Sequence, residues 1–137
     1  MVEVRDLTEN NVEDVATFCG RYKSNGSPSE AKNEFFLQGE KRKKKVLLEK
    51  LRKGGRAKIA YKKNEPVGFI EYYPIEDAPL NIVGKDIMVI PCMNVRVDER
   101  KKGIGDKLVR ACIEDAKNMR RKGVAVQATD WQDFMPK

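Results

Sequence analysis

Two glycines one residue apart close the string Arg100-Lys101-Lys102-Gly103-Ile104-Gly105, with three cations in front of them. Glycine lets a ligand approach the backbone closely. Where such a loop opens a helix, the first N–H groups have no intrahelical acceptors and lie at the positive end of the helix dipole. A pyrophosphate or another polyanion is the ligand that suits this arrangement. A dinucleotide fingerprint would need a third glycine at position 108, which is Leu108, and no Gly-x-x-x-x-Gly-Lys-[Ser/Thr] occurs anywhere, so both of the common nucleotide-binding loops weaken.

Proton chemistry is constrained as sharply. The chain has no histidine, which excludes a histidine-based triad and histidine-ligated metal sites. Proton transfer therefore falls to Glu, Asp, Tyr, Cys or water. Cys92 lies in an apolar run with no histidine to activate it and reads as a small buried hydrophobe. With Cys19 and Cys112 it makes an odd number of cysteines and no CxxC, so free thiols in a reducing compartment, the cytoplasm, are expected. The start, Met1-Val2-Glu3-Val4-Arg5-Asp6, carries no apolar stretch of the secretory kind, and no apolar run approaches the roughly 20 residues of a membrane span.

The elements that must position these residues follow from periodicity. Val2 to Arg5 alternates as a strand, and Thr8 is a plausible N-cap for a helix through Cys19, with Val12, Val15, Ala16 and Cys19 on one stripe and Gly20 as its stop. Arg21 to Pro28 reads as a loop. A second helical region begins near Ser29, breaks at Gly39 and resumes to Lys53, with Leu47, Leu48 and Leu51 as its apolar face and Lys41 to Lys45 in solvent. Phe35 and Phe36 suit either the core or a substrate groove. Ala57 to Lys62 and Val67 to Tyr73 form a hairpin, and Pro74 to Lys85 a long loop. Ile87 to Val97 is a mostly apolar central strand in which Pro91 demands a bulge or a splayed edge. Ile104 to Lys122 is a helix with Leu108, Cys112, Ala116 and Met119 on one face, and Val124 to Val126 is a parallel strand.

In that context Val95-Arg96-Val97-Asp98-Glu99-Arg100-Lys101-Lys102-Gly103-Ile104-Gly105-Asp106-Lys107-Leu108 resembles motif A of the GNAT superfamily, the acyl-CoA-dependent N-acyltransferases. Glu65-Pro66-Val67-Gly68-Phe69 is similar to the family's second hairpin. The resemblance implies an α/β (α+β) fold with a mixed central sheet flanked by helices, in the order strand–helix–helix–hairpin–strand–helix–strand. It reads as one domain over residues 1–137 that stops after the fifth strand, with Asp130 to Lys137 as the entry to a further helix. It also implies acetyl-CoA as co-substrate and transfer to an amine by direct attack, without a covalent acyl-enzyme. Val95, Arg96 and Val97 would meet the pantetheine arm, and Arg100, Lys101, Lys102, Gly103, Ile104, Gly105, Asp106 and Lys107 the pyrophosphate. A strand-edge N–H between Met93 and Val95 would polarise the thioester oxygen. The strand from Ile87 to Val97 lacks the carboxylate that many members carry there, which leaves Glu71 and Asp130 as catalytic candidates for the base, with Tyr72 and Tyr73 as groove residues.

Partners follow from the same reading. The acceptor is an amine-bearing small molecule or peptide, and no membrane is involved. A second copy of the chain could cover the edge of the fifth strand, as a homodimer. The net charge of +7 suits steering of a polyanion. Nucleic acid is the weaker use of that charge, since Lys41 to Lys45 interleaves no aromatics. The rival to an enzyme is a non-catalytic module that holds CoA, another phosphate ligand or RNA.

Overall fold

Alternating apolar and charged residues fold as β1, Val2–Asp6, in a computed structural model that describes residues 1–21, 33–78 and 81–126. The first helical stretch differs from expectation. It begins at Val12 with Asn11 at the N-cap position, because Thr8 and Asn11 are engaged with each other: the Thr8 N–H donates to Asn11 Oδ1 at 2.8 Å. It also divides into α1, Val12–Ala16, and α2, Phe18–Arg21. Thr17 stands at the division with its hydroxyl donating to the Glu13 carbonyl at 2.8 Å, a back-bond that bends helices. Gly20 is inside α2 and does not stop the first helix. A β-carbon there would fall on the Phe36 ring, so the glycine lets α2 approach the next helix.

That helix is α3, Glu34–Arg52, capped by the Asn33 side chain, which accepts from the Phe36 N–H at 2.8 Å. It runs through Gly39 without the expected break. A glycine inside a helix costs about 1 kcal/mol relative to alanine, which the packing of Leu47, Leu48 and Leu51 against the sheet offsets. The expected start at Ser29 and most of the loop before it lie outside the described residues.

The hairpin joins β2, Arg56–Lys62, to β3, Glu65–Pro74. Lys63 and Asn64 take left-handed φ values of 53° and 63°, the twist a two-residue turn between antiparallel strands needs. After β4, Ile87–Val95, the chain makes a short turn over Val97–Glu99, so the strand ends two residues earlier than its apolar run. Helix α4, Ile104–Asn118, also ends earlier than expected, where Arg120 turns left-handed (φ 59°) and the Arg121 N–H reaches back to the Ala116 carbonyl at 2.9 Å. Strand β5 is Gly123–Val126.

The five strands lie in the order β1-β2-β3-β4-β5, antiparallel except for the parallel pair β4–β5. Helix α4 covers one face with Ile104, Leu108, Cys112 and Ala116 against Ile70, Tyr72 and Met88. Helices α1 and α3 cover the other against Ile59, Tyr61 and Phe69. Leu108 is fully buried, and trimming such a side chain to alanine typically costs about 2–5 kcal/mol. Among the described residues no helix is long and apolar enough to cross a membrane.

Pro91 finds one of the two accommodations that its place in β4 requires. Glu71 pairs with Cys92 but Tyr73 with Val89, so β4 carries one extra residue there, a bulge. Among the described residues the last β4–β5 pair, Ile90 with Val126, comes immediately before the proline.

Candidate functional site

Beyond that last pair, β4 ends beside the start of α4, and the space between them is a cavity of about 320 Å³. Met93, Asn94 and Val95 form its strand side, Arg100, Lys101, Ile104 and Gly105 its loop and helix side. Gly103 adopts φ 84° at the N-cap, a left-handed backbone that favours glycine. The Lys107 N–H is bonded to the Gly103 carbonyl at 3.1 Å, which opens the helical ladder and leaves the N–H groups of Ile104, Gly105 and Asp106 without intrahelical acceptors. Among the described residues, no atom outside the local helix backbone lies within 4 Å of where a β-carbon on Gly105 would sit. Packing among the described residues does not require that glycine, which faces the cavity.

The strand side is built by hydrogen-bond parity. The Arg96 N–H donates to the Val67 carbonyl at 2.9 Å and so faces β3. Successive residues of a strand alternate, so the peptide groups of Val95 and Met93 point away from β3, toward the side where β4–β5 pairing has ceased among the described residues. The Val95 carbonyl bears this out by accepting from Arg100 Nε at 2.9 Å, while Arg100 Nη2 donates to Asn94 Oδ1 at 3.2 Å. Arg100 is thereby folded against the end of β4, and the N–H groups of Met93 and Val95 are directed at the open edge.

An ion cluster fixes the turn that carries the loop. Glu99 is buried, with Lys62 at 3.1 Å, Lys102 at 3.3 Å and Arg96 at 3.4 Å. The Lys62 hydrogen bond and then Lys102 hold its carboxyl below the usual glutamate range against the cost of burial. Several residues expected to face the ligand are occupied elsewhere. Arg96 pairs with Asp98 at 2.6 Å as well as with Glu99, Lys102 with Glu99, and Asp106 with Arg110 at 2.8 Å. Ile104 is buried in the core while touching the cavity; Val97 and Lys107 are exposed beside it.

A second cavity, also about 320 Å³, lies on the opposite face of the sheet between α1, α2, α3 and the strands. Val15, Cys19, Phe35, Phe36, Phe69 and Cys92 give it a mostly apolar wall, with Glu40 and Lys43 as its charges. Cys92 lines this cavity and the next residue, Met93, lines the first, so adjacent residues of β4 serve the two cavities. Behind Lys43 is Glu71, the cross-strand neighbour of Cys92, with its side chain 5% exposed. Lys43 Nζ lies 2.9 Å from Glu71 Oε1, an ion pair that gives this buried oxygen its partner. The other oxygen accepts from the Tyr73 hydroxyl at 3.3 Å. Burial works against the Lys43 charge, but Glu71 outweighs it and raises the ammonium pKa. Burial, followed by the Glu71 charge, raises both the Tyr73 hydroxyl and the Cys92 thiol, which disfavours a thiolate nucleophile.

Tyr72 and Tyr73 are interior residues and form no groove wall; the Tyr72 hydroxyl is taken by Asp115 Oδ2 at 2.5 Å under α4. Asp130 lies outside the described residues. Lys43, expected in solvent, turns inward. Its signal was present as spacing, because Gly39, Lys43, Leu47 and Leu51 follow one another at four-residue intervals and continue the buried stripe of α3.

Residues 25–132 match the acetyltransferase (GNAT) family. No curated protein matches the chain. Among solved structures, a ribosomal-protein-alanine N-acetyltransferase from Brucella melitensis biovar Abortus 2308 is 18% identical with a TM-score of 0.66, the match covering 97% of this chain and 84% of that one. An aminoglycoside N-acetyltransferase solved with CoA has a TM-score of 0.73 at 12% identity, over 97% and 80% of the two chains. A GNAT family acetyltransferase from Staphylococcus aureus subsp. aureus USA300_TCH1516 has a TM-score of 0.66 at 18% identity, over 99% and 93%. At these identities the structures speak for the fold, a mixed five-stranded sheet with helices on both faces, and the family match covers most of the chain. The chain therefore belongs to the GNAT acetyltransferase family, whose reaction is acyl transfer.

Proposed function

We propose that the protein is an N-acetyltransferase that moves the acetyl group of acetyl-CoA to an amine by direct attack within a ternary complex. The observation that carries this reading is the cavity at the start of α4, where unpaired helix N–H groups, Arg100 and Lys101 surround a space that Gly105 leaves open. Its chemistry suits a pyrophosphate, and an anion at a helix N-terminus needs no further charge partner. CoA in the complex of the aminoglycoside N-acetyltransferase supports the same donor. The free thiols of Cys19, Cys92 and Cys112 support a cytoplasmic setting.

Acetyl-CoA supplies an activated acyl carbon. The chain's part is to place it: the loop and the first turn of α4 hold the anionic end, and the Met93 or Val95 N–H donates to the carbonyl oxygen as negative charge develops on it. The amine approaches from the second cavity. Glu71 is the proton acceptor in this reading, because it is the buried carboxylate on β3 behind the wall of the second cavity. Lys43 offsets the burial of that charge.

Calorimetry with acetyl-CoA, followed by thiol release in the presence of a panel of amines, tests the reading. Saturable acetyl-CoA binding with amine-dependent release of CoA thiol is the expected outcome. Binding without turnover of any amine would favour a non-catalytic CoA-binding module, and absence of binding would overturn both.

A further inference from the structure

We propose that Asn94 is a positioning residue for the donor: it holds the Arg100 guanidinium across the open edge of β4, a clasp that the donor must open before its thioester can reach the Met93 and Val95 N–H groups. The inference rests on the acyl-transfer reading above, with the donor in the α4 cavity, and deepens it.

The partners of the loop cations are the first observation. Arg96 is held by Asp98 and Glu99, and Lys102 by Glu99, so both are committed to carboxylates. Arg100 lies between them in the chain and, among the described residues, is held by two neutral oxygens. Its Nε donates to the Val95 carbonyl at 2.9 Å and its Nη2 to Asn94 Oδ1 at 3.2 Å. A guanidinium held this way changes partners readily, because its bonds to phosphate oxygens carry charge on both sides and form in pairs.

Where the side chain lies is the second observation. The Val95 carbonyl points to the side of β4 that, among the described residues, has no strand partner beyond Ile90, and Arg100 caps it there. Asn94 and Val95 belong to the strand wall of the α4 cavity and Arg100 to its loop wall, so these two bonds join one wall to the other. A donor that extends from the first turn of α4 to the Met93 or Val95 N–H runs along this same edge. Its pyrophosphate takes the guanidinium, and the Val95 carbonyl is released. Asn94 decides how firmly the clasp holds before that. A guanidinium only donates, so the acceptor at position 94 sets the strength. An amide oxygen closes the clasp weakly enough for an anion to open it, whereas a carboxylate would lock it with an ion pair. The apparent affinity for the donor is the intrinsic one scaled by the open fraction.

Calorimetry with acetyl-CoA on wild type, Asn94→Ala, Asn94→Asp and each of these combined with Arg100→Gln is the test. Asn94→Ala should bind acetyl-CoA about threefold more tightly, since the open fraction rises. Asn94→Asp should bind it about tenfold more weakly, since the clasp becomes an ion pair. Both effects should vanish beside Arg100→Gln, which leaves no guanidinium for position 94 to hold. Affinity unchanged or weakened in Asn94→Ala, as for a residue that touches the donor or only supports the strand, would overturn the inference and leave acyl transfer intact. So would an Asn94→Asp loss that persists beside Arg100→Gln, because that is repulsion between the new charge and the donor. If melting shows that Asn94→Ala does not fold, the isosteric Asn94→Asp pair decides. If Arg100→Gln binds too weakly to measure, the direction of change in Asn94→Ala decides. Failure of wild type to bind acetyl-CoA would instead remove the reading beneath.

Discussion

The two cavities have the same volume and are built in opposite ways. The one at α4 draws on residues 93 to 105, a single stretch of chain, and presents backbone: N–H groups, a left-handed glycine and a glycine that faces open space. The one at α3 draws on α1, α2, α3, β3 and β4 and recognises through side chains. Backbone recognition tolerates variation in everything but the glycines and the strand–loop–helix order. Side-chain recognition is free to change with each ring and charge, so it is where one acyltransferase differs from another.

The largest effect should come from closing the backbone side. Gly105→Val puts a branched side chain into the α4 cavity and should abolish acetyl-CoA binding in calorimetry, with a melting temperature near wild type because no protein atom opposes the new carbon. Unchanged affinity would break the assignment of that cavity to the donor. Next in size is Glu71→Gln. It should lower the rate by about 10²–10⁴-fold, most at low pH where less of the amine is already neutral, and leave acetyl-CoA affinity alone. Full rate across the pH range would move the base to water.

Glu99→Gln probes the anchor of the backbone side. Its folded carboxyl lies below the unfolded value, so the stability it contributes is present above the unfolded pKa and is lost as pH falls through the folded one. The variant should melt a few degrees lower near neutral pH, since Lys62, Arg96 and Lys102 then lack their common partner. That deficit should shrink in acid below about pH 4.3, the ordinary glutamate value. A deficit that does not vary with pH would mean the cluster acts by packing alone. Smallest is Gly39→Ala on the side-chain cavity: a methyl with open space around it should stabilise α3 by about 0.5–1 kcal/mol, read as a slightly higher melting temperature with acetyl-CoA affinity unchanged.

What sequence could show divides along the same line. The motif from Val95 to Leu108, the bulge demanded by Pro91 and the face of α4 are local, and each stands where its residues placed it. The break at Gly39 and the single helix through Cys19 failed because tertiary contacts decided them: the packed leucines of α3 in one case, the Thr17 back-bond and the Phe36 ring in the other. Glu71 could be named as a carboxylate, but not its burial, nor the lysine from 28 positions earlier that pairs with it. The inward turn of Lys43 was hidden by its neighbours, since Lys41, Arg42 and Lys45 are exposed and a run of five cations reads as one surface.

The extra residue in β4 behaves like a frameshift. Ile90 belongs to the α4 side and Cys92, two positions later, to the α3 side, whereas two steps along an unbroken strand return to the same face. One insertion thus decides which side chains each cavity presents. Substitutions at Cys92 or Met93 edit one cavity at a time, but deletion of a single residue at Ile90 or Pro91 would turn Cys92 toward the α4 side and Met93 toward the α3 side together. The length of this strand is therefore under tighter constraint than its composition, and engineered changes of specificity should be sought by exchange of residues there, never by altering their number.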